Sequence, residues 1–183
     1  MSNILVNTIK DTGNNTLLSS DGSGSVTLGS GFPDNTPAFN TRMNTLQTIA
    51  HQVITLVAFD TVLYDTNSAY DNSASNYKFT VPAGQAGKYY FFASTNLDAV
   101  SSAQLRNCNI YFYKNGSVEH AMYSSFISND IRIYQATLST TLDLSVGDYV
   151  QIYARISDSS GSPRIDGSDV TLSQFFGYKL IGA

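Results

Sequence analysis

The side chains most able to do chemistry are thinly spread along this chain of 183 residues. His51 and His120 are its only two histidines, and neither has a second histidine two or four positions away, a spacing that would suit paired metal ligands. No Gly-x-Ser-x-Gly sequence leads from a strand into a helix, since Gly22-Ser23-Gly24 lies in a turn-rich stretch. We therefore expect no catalytic residues and no enzymatic activity.

Acidic residues provide the one candidate site for a metal ion. Asp158, Asp166 and Asp169 fall in and beside a loop rich in Gly and Ser, and loop carboxylates can bind calcium. Their spacing does not match an EF-hand loop, and solvated loop carboxylates are the commoner case. We expect no cofactor, with calcium at this loop as the alternative.

The single cysteine, Cys108, stands in an apolar strand-like segment. One cysteine cannot form an intrachain disulfide. Its apolar surroundings favour a small residue packed inside a sheet over a reactive thiol.

Of all residue types in the chain, the tyrosines say most about where it contacts other molecules. All 12 tyrosines lie at or after Tyr64, and several project from predicted strands. Tyrosine buries area while tolerating a wet edge, which suits interfaces, although sheet core and ordinary strand surface remain alternatives. An aromatic strand near the C-terminus belongs in the middle of a sheet or in a subunit interface, because an unprotected aromatic edge invites aggregation. Our candidates for an interface between subunits are Tyr111, Tyr113, Tyr153, Phe176 and Tyr178.

Composition excludes several classes of partner. Only 13% of residues are charged, the net charge is −4 and the sequence pI is about 4.8, so a nucleic-acid-binding surface is disfavoured. No apolar stretch approaches the roughly 20 residues of a membrane span, and no signal peptide is visible. Solubility rests instead on Ser, Thr and Asn. An exterior-type surface without disulfides is typical of a component of a bacterial or viral particle.

The chain changes character near Pro37. Residues 1–36 contain no aromatic residue before Phe32, and Asp21-Gly22 predicts a turn between two short apolar patches, consistent with a small hairpin. An isolated hairpin is marginal in water, so this N-terminal arm is expected to dock on something rather than act only as a linker. The residues that would anchor it are Ile4, Leu5, Val6, Ile9, Leu17 and Leu18.

Residues 37–183 show the pattern of an all-β head. Residues 77–81 and 149–156 alternate apolar and polar side chains, and Asn115-Gly116 is a hairpin turn pair. Many short strands with turn signals between them predict a jelly-roll β-sandwich. One segment, residues 43–53, has helical spacing of its apolar residues, and both a turn of helix and a strand connection are open there.

These residues resemble the globular head of complement component 1q, a relative of tumour necrosis factor. The matching positions run from Ala38-Phe39 through Phe59, Asp65, Tyr70-Asp71, Phe79-Thr80-Val81-Pro82, Gly87-x-Tyr89-x-Phe91 and Leu144-x-x-Gly147-Asp148-x-Val150 to Phe176-Gly177-Tyr178. The turns between Tyr70 and Gly87 are longer here, and Ala93 stands where an aromatic residue is usual. The resemblance implies a jelly-roll homotrimer that binds without catalysis, with its C-terminal strand near the threefold axis. Some relatives hold calcium in the region of Asp158, Asp166 and Asp169.

The arm contains the sequence Asn-Thr-Leu-Leu-Ser-Ser-Asp-Gly-Ser-Gly at residues 15–24 and is similar to the leaders of structural proteins from tailed bacteriophages. This second resemblance implies a protein of the virion whose arm anchors on the major capsid protein or on tail proteins, while the trimeric head projects outward. The favoured placement is a capsid decoration or cement protein. The alternative is a tail-fibre or spike head that binds a glycan or receptor on the host surface. Neither placement predicts nucleic-acid binding or membrane insertion.

Overall fold

A computed structural model describes residues 6–29, 34–100, 104–126, 128, 130–158, 163–169 and 171–182. The chain forms two compact units, Met1–Asp34 and Asn35–Ile181, which we call the arm and the head. The described residues of both units form strands and connecting loops, without a helix. The all-β prediction is therefore confirmed.

The arm is a three-stranded antiparallel sheet. Strand β2 (Thr16–Ser20) pairs with β1 (Thr8–Lys10) on one side and with β3 (Val26–Leu28) on the other. The predicted hairpin is present as β2 and β3. The turn between them is closed by the carboxylate of Asp21, which accepts hydrogen bonds from the backbone N–H groups of Ser23 at 2.8 Å and Ser25 at 3.2 Å.

The first head sheet is built around the long strand β10 (Gly87–Asp98). One edge of β10 pairs along its whole length with β13 (Ile133–Leu144). The other edge pairs with β16 (Gln174–Lys179) and, further along, with β15 (Arg164–Asp166). Beyond these two strands lie β4 (Ala38–Arg42), β7 (Thr61–Asp65) and the short β5 (Gln47–Thr48).

The second head sheet covers the first. Its order is β12 (Ser117–Ser125), β11 (Leu105–Lys114), β14 (Tyr149–Asp158), β9 (Lys78–Thr80) and β8 (Tyr70–Asp71), and β6 (Thr55–Leu56) also pairs with β14. The predicted Asn115-Gly116 turn joins β11 to β12, and both residues have the positive φ that such a turn requires. Two facing antiparallel sheets make the head a sandwich, as predicted.

Aromatic rings fill the space between the two sheets. The ring of Phe175 on β16 is their centre, and it lies 4.9–6.2 Å from the rings of Phe39, Phe59, Tyr70, Phe91 and Phe112. Phe91 and Phe112 come from opposite sheets, and both are fully buried. Ala93, where the family resemblance would place an aromatic residue, is also buried and lies opposite Phe175 in the β10–β16 ladder.

A buried carboxylate ties together the end of β10 and two other segments. Asp98 is 1% exposed and accepts hydrogen bonds from Arg164 at 2.8 Å and Arg132 at 3.3 Å, as well as from the backbone N–H of Val100 at 2.7 Å. Burial alone would raise the pKa of Asp98, but these hydrogen bonds and the charge of Arg164 outweigh it and lower the pKa. The carboxylate therefore stays ionised at neutral pH and is protonated only in acid.

The segment with helical spacing folds as a strand connection. Residues 43–53 contain only the two-residue strand β5, and their apolar side chains do not share one face. Met43 and Ile49 are buried, whereas Leu46 and Val53 are about half exposed. Local periodicity is overridden here because pairing with β15 and with loop backbone satisfies the segment's hydrogen bonds.

Replacing Phe91 with Ala is expected to lower the free energy of unfolding by about 3–5 kcal/mol, because the ring is fully buried among five other aromatic rings. Tyr123→Ala is the matched control, since Tyr123 is 58% exposed and its loss should change stability by no more than about 0.5 kcal/mol. Urea unfolding followed by tyrosine fluorescence measures both. Equal midpoints for the two variants would contradict the assigned role of Phe91.

Candidate functional site

Two pairs of aromatic rings lie on the outer face of the first head sheet. The rings of Phe92 and Phe176 stack with their centroids 5.0 Å apart, and those of Tyr90 and Tyr178 lie 5.5 Å apart. Each pair is directly opposite across the β10–β16 ladder, and all four side chains are partly exposed. We call these four residues the aromatic face.

The neighbouring strand β4 extends this face with polar groups that lack partners. Asn40 lies opposite Phe176, and Arg42 lies opposite Gln174. The Oδ1 atom of Asn40 and the Nε atom of Arg42 are shielded from water and form no hydrogen bond with the described residues. Buried polar atoms without partners are rare in native proteins and cost about 1–3 kcal/mol each. Among the described residues of one chain, the hydrogen-bonding capacity of Asn40 and Arg42 is therefore not fully used.

Three tyrosines lie on the outer face of the second head sheet. Tyr153 on β14 is directly opposite Tyr111 on β11. The Tyr113 ring lies 4.2 Å from the Tyr153 ring and 6.1 Å, edge-on, from the Tyr111 ring. All three are partly exposed, and burial raises the pKa of Tyr111 and of Tyr153, so both remain neutral at physiological pH. We call these three residues the tyrosine face.

Two cations flank the tyrosine face. Arg155 lies near Tyr111, and its charge lowers the pKa of Tyr111 in opposition to burial. Its guanidinium donates to the Gln52 carbonyl at 3.1 Å. Lys78 Nζ lies 5.0 Å from the centroid of the Tyr149 ring. Among the described residues, neither cation has a carboxylate within salt-bridge distance.

The five predicted interface residues thus divide between two surfaces. Phe176 and Tyr178 belong to the aromatic face, whereas Tyr111, Tyr113 and Tyr153 form the tyrosine face on the opposite side of the sandwich. Strand β16 lies inside its sheet, between β4 and β10, so its backbone is already paired and needs no partner subunit. Of the two alternatives for this strand, the middle of a sheet is the observed one.

Two of the three acidic candidates accept hydrogen bonds from backbone N–H groups in their own turns. The Asp166 carboxylate accepts from the backbone N–H of Ser168 at 2.9 Å, and that of Asp169 accepts from the backbone N–H of Thr171 at 3.0 Å. Asp158 is 2% exposed at the end of β14. Within the described ranges, no three residues of the His, Cys, Asp and Glu types come together as metal ligands. Local turn hydrogen bonds thus hold the carboxylates of Asp166 and Asp169.

The cysteine and the two histidines were the other candidates for chemistry, and the structure shows where each of them lies. Cys108 is fully buried, as predicted, and its burial raises the thiol pKa to about 12. The Nδ1 atom of His51 accepts a hydrogen bond from the backbone N–H of Asp158 at 3.1 Å, whereas His120 is exposed on β12.

The predicted anchoring residues are accessible where they are described. Val6, Ile9 and Leu17 are 53%, 44% and 37% exposed, and Leu18 is partly buried. Ile4 and Leu5 lie outside the described residues. Val6, Ile9 and Leu17 are therefore exposed enough to contact a partner.

The head is similar to known proteins in its sequence and in its fold. Residues 38–180 match the family model of the C1q domain. The globular domain of zebrafish complement 1qA is 18% identical over 79% of this chain and 97% of its own, with a TM-score of 0.51. Murine APRIL is 9% identical over 78% of this chain and 98% of its own (TM-score 0.56), and Eiger TNF from S. frugiperda is 15% identical over 82% and 96% (TM-score 0.53). These structures share its fold. No curated protein matches the chain.

No helix in the described part of the chain has the length and apolarity needed to cross a membrane. The jelly-roll sandwich, the closing Phe-Gly-Tyr strand inside the first sheet and the match over residues 38–180 agree with one another. On this evidence the chain belongs to the C1q domain family.

Proposed function

We propose that the chain is a structural protein of a tailed-phage virion, with a trimeric head that projects from the particle and an arm that anchors it as a capsid decoration or cement protein. Domains of the C1q and tumour necrosis factor type are generally non-enzymatic binding or structural proteins and commonly form homotrimers. The observation that carries the trimeric head is the aromatic face, because its four rings offer a self-association surface on the first head sheet.

The aromatic face suits contact between copies better than the tyrosine face does. In a closed threefold ring the two neighbours of a subunit lie about 60° apart as seen from it, so the two opposite faces of a sandwich cannot both contact neighbours. Phe92 and Phe176 are the most apolar residues of either face. The unpartnered polar atoms of Asn40 and Arg42 lie beside them, where a second copy could supply hydrogen bonds. We therefore assign Phe176 and Tyr178 to the trimer interface and leave Tyr111, Tyr113 and Tyr153 outside it.

Light scattering at micromolar concentration is expected to give three times the chain mass of 19.8 kDa. Phe176→Asp should yield folded monomers, because association would bury an unpaired carboxylate. Tyr123→Asp, on the other head sheet, is the control and should remain trimeric. A monomeric parent protein would contradict the trimer, and dissociation by the control variant alone would move the interface to the second sheet.

The arm supports attachment to the particle. Its turns are fixed by hydrogen bonds of Asp11 and Asp21, so it is a shaped element rather than a featureless spacer. The apolar side chains of Val6, Ile9 and Leu17 are exposed, and an exposed group of apolar side chains marks a surface that contacts a partner. A decoration role requires such a contact on the capsid.

Deleting residues 2–36 is expected to leave a soluble trimeric head whose thermal midpoint is nearly unchanged, because the buried core lies in the head. The same deletion should abolish incorporation into particles. Quantitative mass spectrometry of purified virions measures this, and full-length chains present in hundreds of copies would support the capsid placement. Deleted chains at normal copy number would show that the head carries the attachment site.

The tyrosine face favours a second candidate, a tail-fibre or spike head that binds the host surface. Rings of Tyr111, Tyr113 and Tyr153 can stack on the C–H face of a sugar or pack on a receptor protein, and Arg155 provides a cation at their edge. In that placement a virion would carry at most a few tens of copies.

Replacing Tyr153 with Ser should reduce binding of fluorescent full-length trimers to host cells by at least tenfold if the head is a receptor-binding module, since Tyr153 contacts its neighbours on the tyrosine face. Val146→Ser, at an exposed turn residue, is the control. Flow cytometry measures bound trimer. Undiminished binding by the Tyr153 variant would remove the tyrosine face from host recognition.

A further inference from the structure

One face of the arm sheet carries a row of apolar side chains. Ile9 on β1 lies opposite Leu18 on β2, and Leu18 lies opposite Leu28 on β3. Val26 is two residues from Leu28 and therefore points to the same side. We call these four residues the apolar face of the arm.

The arm itself leaves this face uncovered. Ile9, Val26 and Leu28 are 44%, 63% and 55% exposed. Ile9, Leu18 and Val26 also line a shallow groove into which a neighbouring side chain could insert. A sheet needs a second layer on its apolar face to bury it, and strands of three to five residues form a sheet that is marginal alone.

The turns nevertheless hold the sheet in a defined shape. The Asp11 carboxylate accepts from the backbone N–H of Asn15 at 2.9 Å, and hydrogen bonds from Ser23 and Ser25 lower the pKa of Asp21 to about 2. Gly22 and Gly24 take the positive φ that the second turn requires. The turns therefore hold the apolar face of the arm in a sheet of defined shape.

The connection between arm and head determines which partner is nearest. Strand β3 ends at Leu28 and β4 begins at Ala38, so residues 29–37 join them. Nine residues reach at most about 30 Å. If the heads form the proposed trimer, each arm stays within this reach of its own head, and the three arms share a local concentration in the millimolar range.

The charges of the arm are compatible with contact between copies. The apolar face has no ionisable side chain. Lys10 stands at a register shift of β1 and donates from Nζ to Oδ1 of Asn14 at 3.0 Å, and Asp11 and Asp21 lie in the turns. Three copies can therefore approach through this face without repulsion between like charges, whereas a charged partner would find no complementary group on it.

We infer that the three arms of a trimer pack their apolar faces against one another around the threefold axis and form a small shared β core. The inference rests on the proposed head trimer. The partner is thus a second and third copy of this chain. Val6 lines the same groove as Ile9 and Leu18, whereas Leu17 is outside the shared face and remains available for contact with the particle.

Engineered cysteines in the full-length protein test this packing. Leu28→Cys places a thiol on the apolar face, and Thr27→Cys places one on the opposite face of the same strand. Cys108 does not interfere, because it is fully buried and its pKa is raised to about 12. Copper phenanthroline oxidises two nearby thiols to a disulfide by removing two electrons and two protons. Non-reducing electrophoresis then separates linked from single chains.

We expect Leu28→Cys trimers to give disulfide-linked dimers, with one of every three chains left single, while Thr27→Cys trimers stay unlinked. Val26→Cys is a second reporter on the apolar face if Leu28→Cys does not fold. Trimers in which neither face links, or in which both faces link equally, would overturn the inference, because the arms would then be apart or unordered. Light scattering of the same samples separates this outcome from failure of the trimer itself, which would appear as monomers.

Discussion

The contact between Gly177 and the ring of Phe91 is the constraint on which the head depends. Gly177 lies between Phe91 on β10 and Phe39 on β4, directly opposite both in the ladders. A Cβ atom at this position would stand 2.5 Å from a ring carbon of Phe91, so the absence of a side chain leaves room for the ring. The rings of Phe39 and Phe91 thereby approach to 6.3 Å across the intervening strand. The Phe-Gly-Tyr sequence is thus a packing requirement of the core.

The alternation of β16 around this glycine connects the core to the surface. Phe175 and Gly177 point inward, so Phe176 and Tyr178 must point outward. Phe175 is the centre of the ring cluster, while Phe176 and Tyr178 build the aromatic face with residues of β10. One strand therefore serves both the stability of the head and its proposed association. The tyrosine face belongs to the other sheet and can vary without changing this arrangement.

The strands, the two turns and the buried core were predictable from local signals. The Gly87-x-Tyr89-x-Phe91 motif predicts that Phe91 is buried, and the apolar segment around Cys108 predicts a packed thiol. The Asn115-Gly116 and Asp21-Gly22 pairs predict the hairpins that the structure contains. The separation of Tyr111, Tyr113 and Tyr153 from Phe176 and Tyr178, on opposite sides of the head, was not predictable in the same way. Alternation distinguishes the inside of a strand from its outside, but it does not say which of the two sheets receives that strand.

Long-range polar contacts were also beyond local analysis. The ionic cluster of Asp98 joins residues from three separate segments, and no spacing in the sequence marks it. The unpartnered atoms of Asn40 and Arg42 became apparent only once β4 was placed beside β16. Both features depend on tertiary pairing, whereas periodicity and turn residues report only on neighbours along the chain.

The insertion of β16 between β4 and β10 has a consequence for how the protein folds. Thr41 on β4 donates to the Phe175 carbonyl on β16, and these residues are 134 positions apart. Such non-local pairing forms slowly, because the chain loses the conformational entropy of a long loop before the stabilising contacts are made. Until β16 is in place, β4 and β10 each present an open edge beside exposed phenylalanines, the kind of surface that aggregates. The yield of native protein should therefore be governed by how quickly this one strand is inserted.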